Sequence, residues 1–203
     1  MNKIITLTGC SSCGKDTILN ALLRIHPKLK KIISHTNRPV RSGERDNLSY
    51  HFVTYKDMID MEYNDEFIET RIYNVVDEND LSKRKIWIYG ICKDELKKDG
   101  IGIVIIDYLG LIKLQEYCYE QDIEYKSYYI DCEPNIRLRR ALNREPNANK
   151  EKVMEMCRRL LDDEENVAQA KISYLTNCIV LNNNTKEDFI KSIFTISEEI
   201  ERN

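Results

Sequence analysis

Apolar positions along this chain follow two rhythms. Short runs rich in β-branched residues alternate with longer stretches whose apolar residues recur every three or four positions. Residues 3–8 read as a buried-type strand. Residues 15–25 read as a helix, with Ile18/Leu22 and Leu19/Leu23 at i, i+4 spacing and Pro27 as the stop. Lys31-Ile32-Ile33 predicts a short strand, and 35–48, polar with Pro39 and Gly43, a loop. Tyr50-His51-Phe52-Val53 predicts another strand, and Thr54-x-x-Asp57 a capping box opening a short helix. Phe67–Val75 and Lys85–Tyr89 alternate as two strands joined by a polar turn at 77–80. A helix over about 92–98 ends at Gly100.

Ile101–Ile106 is the most continuous apolar strand and is closed by Asp107. Helices follow over about 111–121, 134–144, 150–173 and 186–200, with strands at 125–130 and 179–181. Strand–helix alternation with buried-type strands predicts an α/β fold, a parallel sheet flanked by helices. Residues 34–90 break the rhythm and read as a small antiparallel insertion.

Length and charge narrow the picture. A chain of 203 residues with 42% hydrophobic and 32% charged residues suits one globular domain. A formal net charge of −3 argues against a general nucleic-acid binder. No apolar run is long enough to span a membrane. Seven cysteines lie scattered without a framework pattern, as expected of reduced thiols in a cytoplasmic protein. Cys10 and Cys13 could form a C-x-x-C pair, but His26, His35 and His51 offer no second ligand pair at zinc-site spacing.

The candidate chemistry starts at Gly9-Cys10-Ser11-Ser12-Cys13-Gly14-Lys15-Asp16-Thr17. This is the G-x-x-x-x-G-K layout of a phosphate-binding loop, between a strand and a helix. Gly9 and Gly14 permit backbone angles that turn successive N–H groups inward as an anion cradle. The helix adds its positive end, and Lys15 can reach terminal phosphates. The position after the Lys normally carries a Ser or Thr whose hydroxyl binds Mg²⁺; here it is Asp16, followed by Thr17. A carboxylate can still bind Mg²⁺, directly or through water.

A second constellation follows at Ser34-His35-Thr36-Asn37-Arg38-Pro39-Val40-Arg41-Ser42-Gly43-Glu44, then Tyr50-His51-Phe52-Val53. Arg38 and Arg41 flank a stiffening proline and form a cationic hook suited to bidentate phosphate binding, to which Tyr50 can add a hydroxyl. The alternative is a solvated basic turn with a surface Arg41–Glu44 pair.

Together the two segments resemble the guanylate kinase family, whose second signature is S-x-T-T-R-x-P-R-x-G-E followed by Y-x-F-V. The resemblance continues at Glu66-Phe67-Ile68-Glu69, Tyr89-Gly90-Ile91-Cys92, Asp107-Tyr108-Leu109-Gly110, Arg140 with Arg144, Arg159-Leu160 and Ile179–Asn183. It implies a P-loop NTPase-type core (1–33, 91–136, 160–203), a nucleoside-monophosphate-binding insertion (34–90) and a helical lid (137–159). It implies transfer of the γ-phosphate of ATP, with Mg²⁺, to the 5′-phosphate of GMP or dGMP.

By position, Gly9 to Lys15 would cradle the ATP phosphates, with Asp16 and Thr17 at the metal and Asn182 near adenine. Arg38, Arg41, Tyr50 and Tyr89 would hold the acceptor phosphate. Ser34, Glu69, Cys92 and Asp107 would face the acceptor base. Arg140, Arg144 and Arg159 would close on the transferring group beside Lys15. Departures cluster on the acceptor side: Cys92 replaces a hydroxyl donor, Ile91 and Leu109 remove polar groups, and the 70–87 hairpin is long. Related readings are a ribose 1,5-bisphosphate phosphokinase, to which Asp16 points, or another nucleoside monophosphate kinase; a reading of another class is a non-catalytic guanylate-kinase-like binding module. Monomer and homodimer are both compatible.

Overall fold

The computed structural model describes residues 1–41, 43–77, 80–173 and 178–202. Its elements in chain order are β1 (Lys3–Thr8), α1 (Lys15–Ile25), β2 (Lys30–Lys31), β3 (His35–Thr36), β4 (His51–Phe52), α2 (Tyr55–Tyr63), β5 (Phe67–Asp77), β6 (Asp80–Cys92), α3 (Lys93–Leu96), β7 (Ile101–Ile105), α4 (Tyr108–Glu120), β8 (Glu124–Asp131), α5 (Pro134–Arg144), α6 (Lys150–Ser173), β9 (Cys178–Asn182) and α7 (Lys186–Glu201).

Five strands form one parallel sheet in the order β2-β7-β1-β8-β9. The period-two alternation of β1 explains its two-sided burial. Ile5 and Leu7 join Ile18, Leu19 and Leu22 of α1 and Ile196 of α7 in one apolar layer. Ile4 joins Val104, Leu111, Leu114 and Cys118 in the layer beneath α4. With both faces covered, β1 is buried at every position. Even Lys3 is buried, its ammonium 3.0 Å from Glu124 and paired with Glu199 of α7.

Every parallel strand therefore ends at the same edge. The loop after β1, Asp107 after β7, Cys132 after β8 and Asn183 after β9 all gather at that carboxyl edge, where ligands bind in open α/β sheets.

Residues 35–92 carry a second, four-stranded sheet in the order β4-β3-β6-β5. The β5–β6 hairpin is antiparallel and longer than its sequence pattern predicts, reaching Asp77 and Asp80; the middle of the polar turn lies outside the described residues. The insertion is not wholly antiparallel. β3 and β4 pair in parallel, because the chain loops out through 37–50 and returns alongside itself. The strand expected at 31–33 is Lys30–Lys31, extended by the Ile32 amide, which donates to Ile103 carbonyl at 2.9 Å. The box at Thr54 forms: Asp57 N–H donates to Thr54 Oγ1 at 3.1 Å, and Thr54 N–H to Asp57 Oδ2 at 2.9 Å. No helix among the described residues is long and apolar enough to cross a membrane.

Candidate active site

The loop between β1 and α1 has the backbone of an anion cradle. Gly9 has φ 141°, Gly14 φ 102°, and Ser12 also sits in the left-handed region at φ 62°. Gly14 is needed twice over: a Cβ there would meet strain and would collide with the Asn183 side-chain amide. That amide donates to the Cys13 carbonyl at 2.6 Å, so the buried Asn183 fixes the loop's turn into α1.

Arg140 of α5 reinforces the same corner, donating to Cys13 carbonyl at 3.2 Å and to Asn183 carbonyl at 2.8 Å. Arg144, one turn on, donates to Ser12 Oγ at 2.7 Å. Both lid arginines expected from the sequence thus stand at the loop.

Lys15 folds over the cradle and donates to the carbonyls of Gly9 and Cys10, each at 2.7 Å. The Ser11 amide donates to Asp163 Oδ2 of α6 at 2.6 Å, so a carboxylate sits where the cradle would take an anion. A cleft of about 710 Å³ opens beside the loop, lined by Lys15–Thr17, Arg140, Arg144 and Asn183–Lys186.

Two expected residues stand elsewhere. Asn182 is exposed and offers only its carbonyl, to Ser192 Oγ at 3.2 Å; Asn183 takes the loop contact. Arg159 lies on α6 and donates to Glu155 Oε1 at 3.0 Å, with no hydrogen bond to the loop among the described residues. Buried Arg137 instead ties α5 to α6, donating to Glu164 Oε1 at 2.6 Å and lying 3.8 Å from Asp163. Nothing in its sequence separates it from the neighbouring arginines.

The second cluster builds on β3, β4 and β6. Arg38 is buried, its guanidinium 4.8 Å from the Tyr50 ring centre and 5.4 Å from that of Phe52. Tyr50 and Tyr89 meet edge to face at 5.8 Å. Arg41 lies over Trp87 at 5.7 Å. Arg38, Arg41, Tyr50 and Tyr89 therefore share one aromatic-walled corner.

Glu44 closes that corner. Arg38 donates to it through both Nη atoms, one at 2.7 Å, and the Arg41 amide donates to it at 2.8 Å. Burial pulls the Arg38 pKa down, but Glu44 and the two tyrosines outweigh it and hold it raised. Lys31 fastens the following turn to the core, donating to the carbonyls of Leu48 at 2.6 Å and Ser49 at 3.2 Å.

The second cluster lies near the start of α1, close enough for Asp16 to act electrostatically on Tyr50 and Lys31. Burial raises the Tyr50 phenol's pKa, and neighbouring Tyr89 and Asp16 push it the same way. Asp16 also offsets the lowering that burial imposes on Lys31. Asp16 and Thr17 are both exposed on the first turn of α1. Among the described residues no three His, Cys, Asp or Glu gather as a metal cage. Mg²⁺ beside phosphates needs only one or two protein oxygens, and Asp16 with Thr17 fits that donor set.

Further along, Glu69 is buried on β5 and Asp107 caps α4, accepting from the Gly110 amide at 3.0 Å. Arg71 bridges them. It donates to Glu69 Oε2 at 2.8 Å and Oε1 at 3.0 Å, and its third nitrogen pairs with Asp107. Burial raises the Glu69 carboxyl's pKa, and Arg71 draws it partly back.

Cys92 lies apart from this group, packed with Met58, Phe67 and Ile88, its thiol pushed by burial up to about 12. Ser34 contributes its carbonyl, which accepts from the His51 amide at 3.0 Å. Cys10 and Cys13 are buried and free, fillers behind the loop.

A phosphate loop at the carboxyl edge of this sheet, followed by its helix, defines the P-loop class of nucleotide-binding folds. Within that class the chain belongs to the guanylate kinase family: the family model described as guanylate kinase matches residues 1–199. Guanylate kinase of Nostoc sp. is 41% identical over 68 residues, 34% of this chain and 34% of that protein. Guanylate kinase of Vibrio vulnificus is 33% identical over 136 residues, 66% of this chain and 60% of its own length. The matched stretch thus spans about a third to three-fifths of these relatives. The crystal structure of guanylate kinase from Anaplasma phagocytophilum shares the fold, with a TM-score of 0.63 at 22% identity over 98% of this chain and 84% of that one.

Proposed function

We propose that this protein transfers the γ-phosphoryl group of ATP to the 5′-phosphate of a nucleoside monophosphate, GMP or dGMP. The observation that carries the reading is the pair of cationic clusters near Asp16, Lys15 with Arg140 and Arg144, and Arg38 with Arg41. Two polyanions must meet for phosphoryl transfer, and such transfer is catalysed chiefly by positioning and charge neutralisation.

In this reading the amides of Gly9 to Lys15 hold the donor phosphates. Lys15 leaves the Gly9 and Cys10 carbonyls for the β- and γ-oxygens. Asp16 and Thr17 would hold Mg²⁺, which when bound would supply positive charge to neutralise those oxygens. Arg38 exchanges Glu44 for the acceptor phosphate, aided by Arg41, Tyr50 and Tyr89. Glu69 accepts hydrogen bonds from the acceptor base. Closure of 34–90 and 137–159 brings the clusters together and excludes water.

The test is ADP release with Mg·ATP and each of GMP, dGMP, AMP, CMP, UMP, dTMP and ribose 1,5-bisphosphate. Turnover with GMP and dGMP is expected. Turnover of ribose 1,5-bisphosphate alone would make the acceptor a sugar phosphate, and no turnover at all would favour a binding module.

A further inference from the structure

The sequence reading leaves the acceptor pocket short of a donor. Cys92, at the place of a hydroxyl, is buried among apolar side chains, and Ile91 is wholly buried. A base with a ring carbonyl needs an N–H or O–H pointing at it. Arg71, absent from every expectation, stands in that pocket.

Its position follows from strand geometry. Glu69 and Arg71 are two apart on β5 and so share one face. Three of the guanidinium's N–H groups are engaged, two by Glu69 and one by Asp107. Tyr73, next on the same face, donates to Asp107 Oδ2 at 2.9 Å and braces the far end. Gly110 leaves room for the group: a Cβ there would lie 2.9 Å from Glu69 Oε2.

An arginine carries five N–H donors, and each carboxylate oxygen has a second lone pair. The Glu69–Arg71 pair therefore retains free donors beside free acceptors. The Arg71 side chain is 15% exposed, enough to meet a ligand at its edge.

We infer that Arg71 is a specificity-determining residue that selects acceptors bearing a ring carbonyl beside a ring N–H, the edge of a 6-oxopurine. The inference rests on the nucleoside monophosphate reading above. A 6-oxopurine sets its O6 against the guanidinium and its N1–H against Glu69. A 6-aminopurine sets an amine against the guanidinium and a lone pair against the carboxylate, two repulsive contacts. A second phosphate in place of the base is disfavoured, because Glu69 and Asp107 together outweigh the charge of Arg71.

The test compares wild type, Arg71→Ala and Arg71→Lys on GMP, IMP and AMP, with ATP affinity and the melting curve as controls. Arg71→Ala is expected to lower kcat/KM for GMP and IMP by about 100-fold and to leave AMP nearly unchanged. The preference over AMP then collapses, while ATP affinity stays constant. Arg71→Lys restores part of the GMP and IMP activity.

Equal losses on all three acceptors, or an unchanged GMP-to-AMP ratio, would overturn the role of Arg71 and leave the kinase reading intact. A wild-type protein that turns over no nucleoside monophosphate overturns the kinase reading itself, and this inference with it.

Discussion

The donor loop and the acceptor pocket solve the same problem, holding an anion, by different means. The donor loop uses nine consecutive residues and the amides they present, fixed from behind by Asn183 and Arg140. The acceptor side uses charged side chains drawn from β5 and the loops after β3 and β7, with the phenols of Tyr50 and Tyr89 beside them. Two of its cations are already paired: Arg38 with Glu44, and Arg71 with Glu69 and Asp107. A backbone cradle tolerates little change in conformation, whereas a network of paired charges can be retuned by one substitution. Under the proposed function, selectivity is expected to reside on the acceptor side and reactivity on the donor side.

The contrast can be broken most sharply at Lys15. Lys15→Ala is expected to lower kcat by about 10³-fold while leaving the melting temperature unchanged, because the lost charge acts on the transferring group. Both ADP release and a thermal melt check this.

At Arg38 the effect should fall on one substrate. Arg38→Ala is expected to lower kcat/KM for the acceptor roughly 100-fold, the worth of a charged bidentate contact, with ATP affinity preserved. An equal loss of ATP affinity would erase the division between the two sides.

A smaller effect, of opposite sign, is expected at Asp163. Its carboxylate occupies the Ser11 amide, so it competes with the donor phosphates. Asp163→Ala should tighten ATP binding about 3-fold in a titration, a gain of less than 1 kcal/mol.

The mildest test is pH. Burial holds the Glu69 pKa above the usual carboxylate range, so it takes up a proton earlier as pH falls. A protonated carboxyl loses acceptor capacity, so acceptor kcat/KM should fall on the acid side at a pH above the ordinary glutamate value of about 4.3. Arg71→Ala removes a lowering influence and should move that limb to higher pH still. A stationary limb would detach Glu69 from the acceptor.

Much of the donor side is legible in sequence because its information is local. The G-x-x-x-x-G-K spacing, the preceding strand and the periodic helix lie within 25 residues. Helices 134–144 and 150–173 are likewise read correctly, and the first opens with a proline at N1. β2 is shorter than its apolar run suggests: after the Ile32 amide bonds to β7, the Ile33 amide turns to the Glu95 carboxylate as the chain enters the insertion.

The acceptor side is legible only where a signature spells it out. Asn183, Asp163 and Arg71 are ordinary polar residues in sequence, and their roles depend on partners 170, 152 and 36 positions away. Arg71 carries a usable signal in the alternation that sets it on the same strand face as Glu69, and Asn183 in the resemblance at Ile179–Asn183.

The amide of Asn183 closing on Cys13 has a consequence for the order of events in making this protein. The loop that defines the nucleotide site is translated within the first 17 residues, yet its geometry is fixed by a residue 170 positions later. Contacts of such sequence separation form late, after the entropy of closing a long loop has been met. A nascent chain lacking β9 carries the full phosphate-loop motif without its keystone. In the proposed reading, nucleotide binding reports completion of the fold, and ATP is expected to stabilise the finished molecule alone.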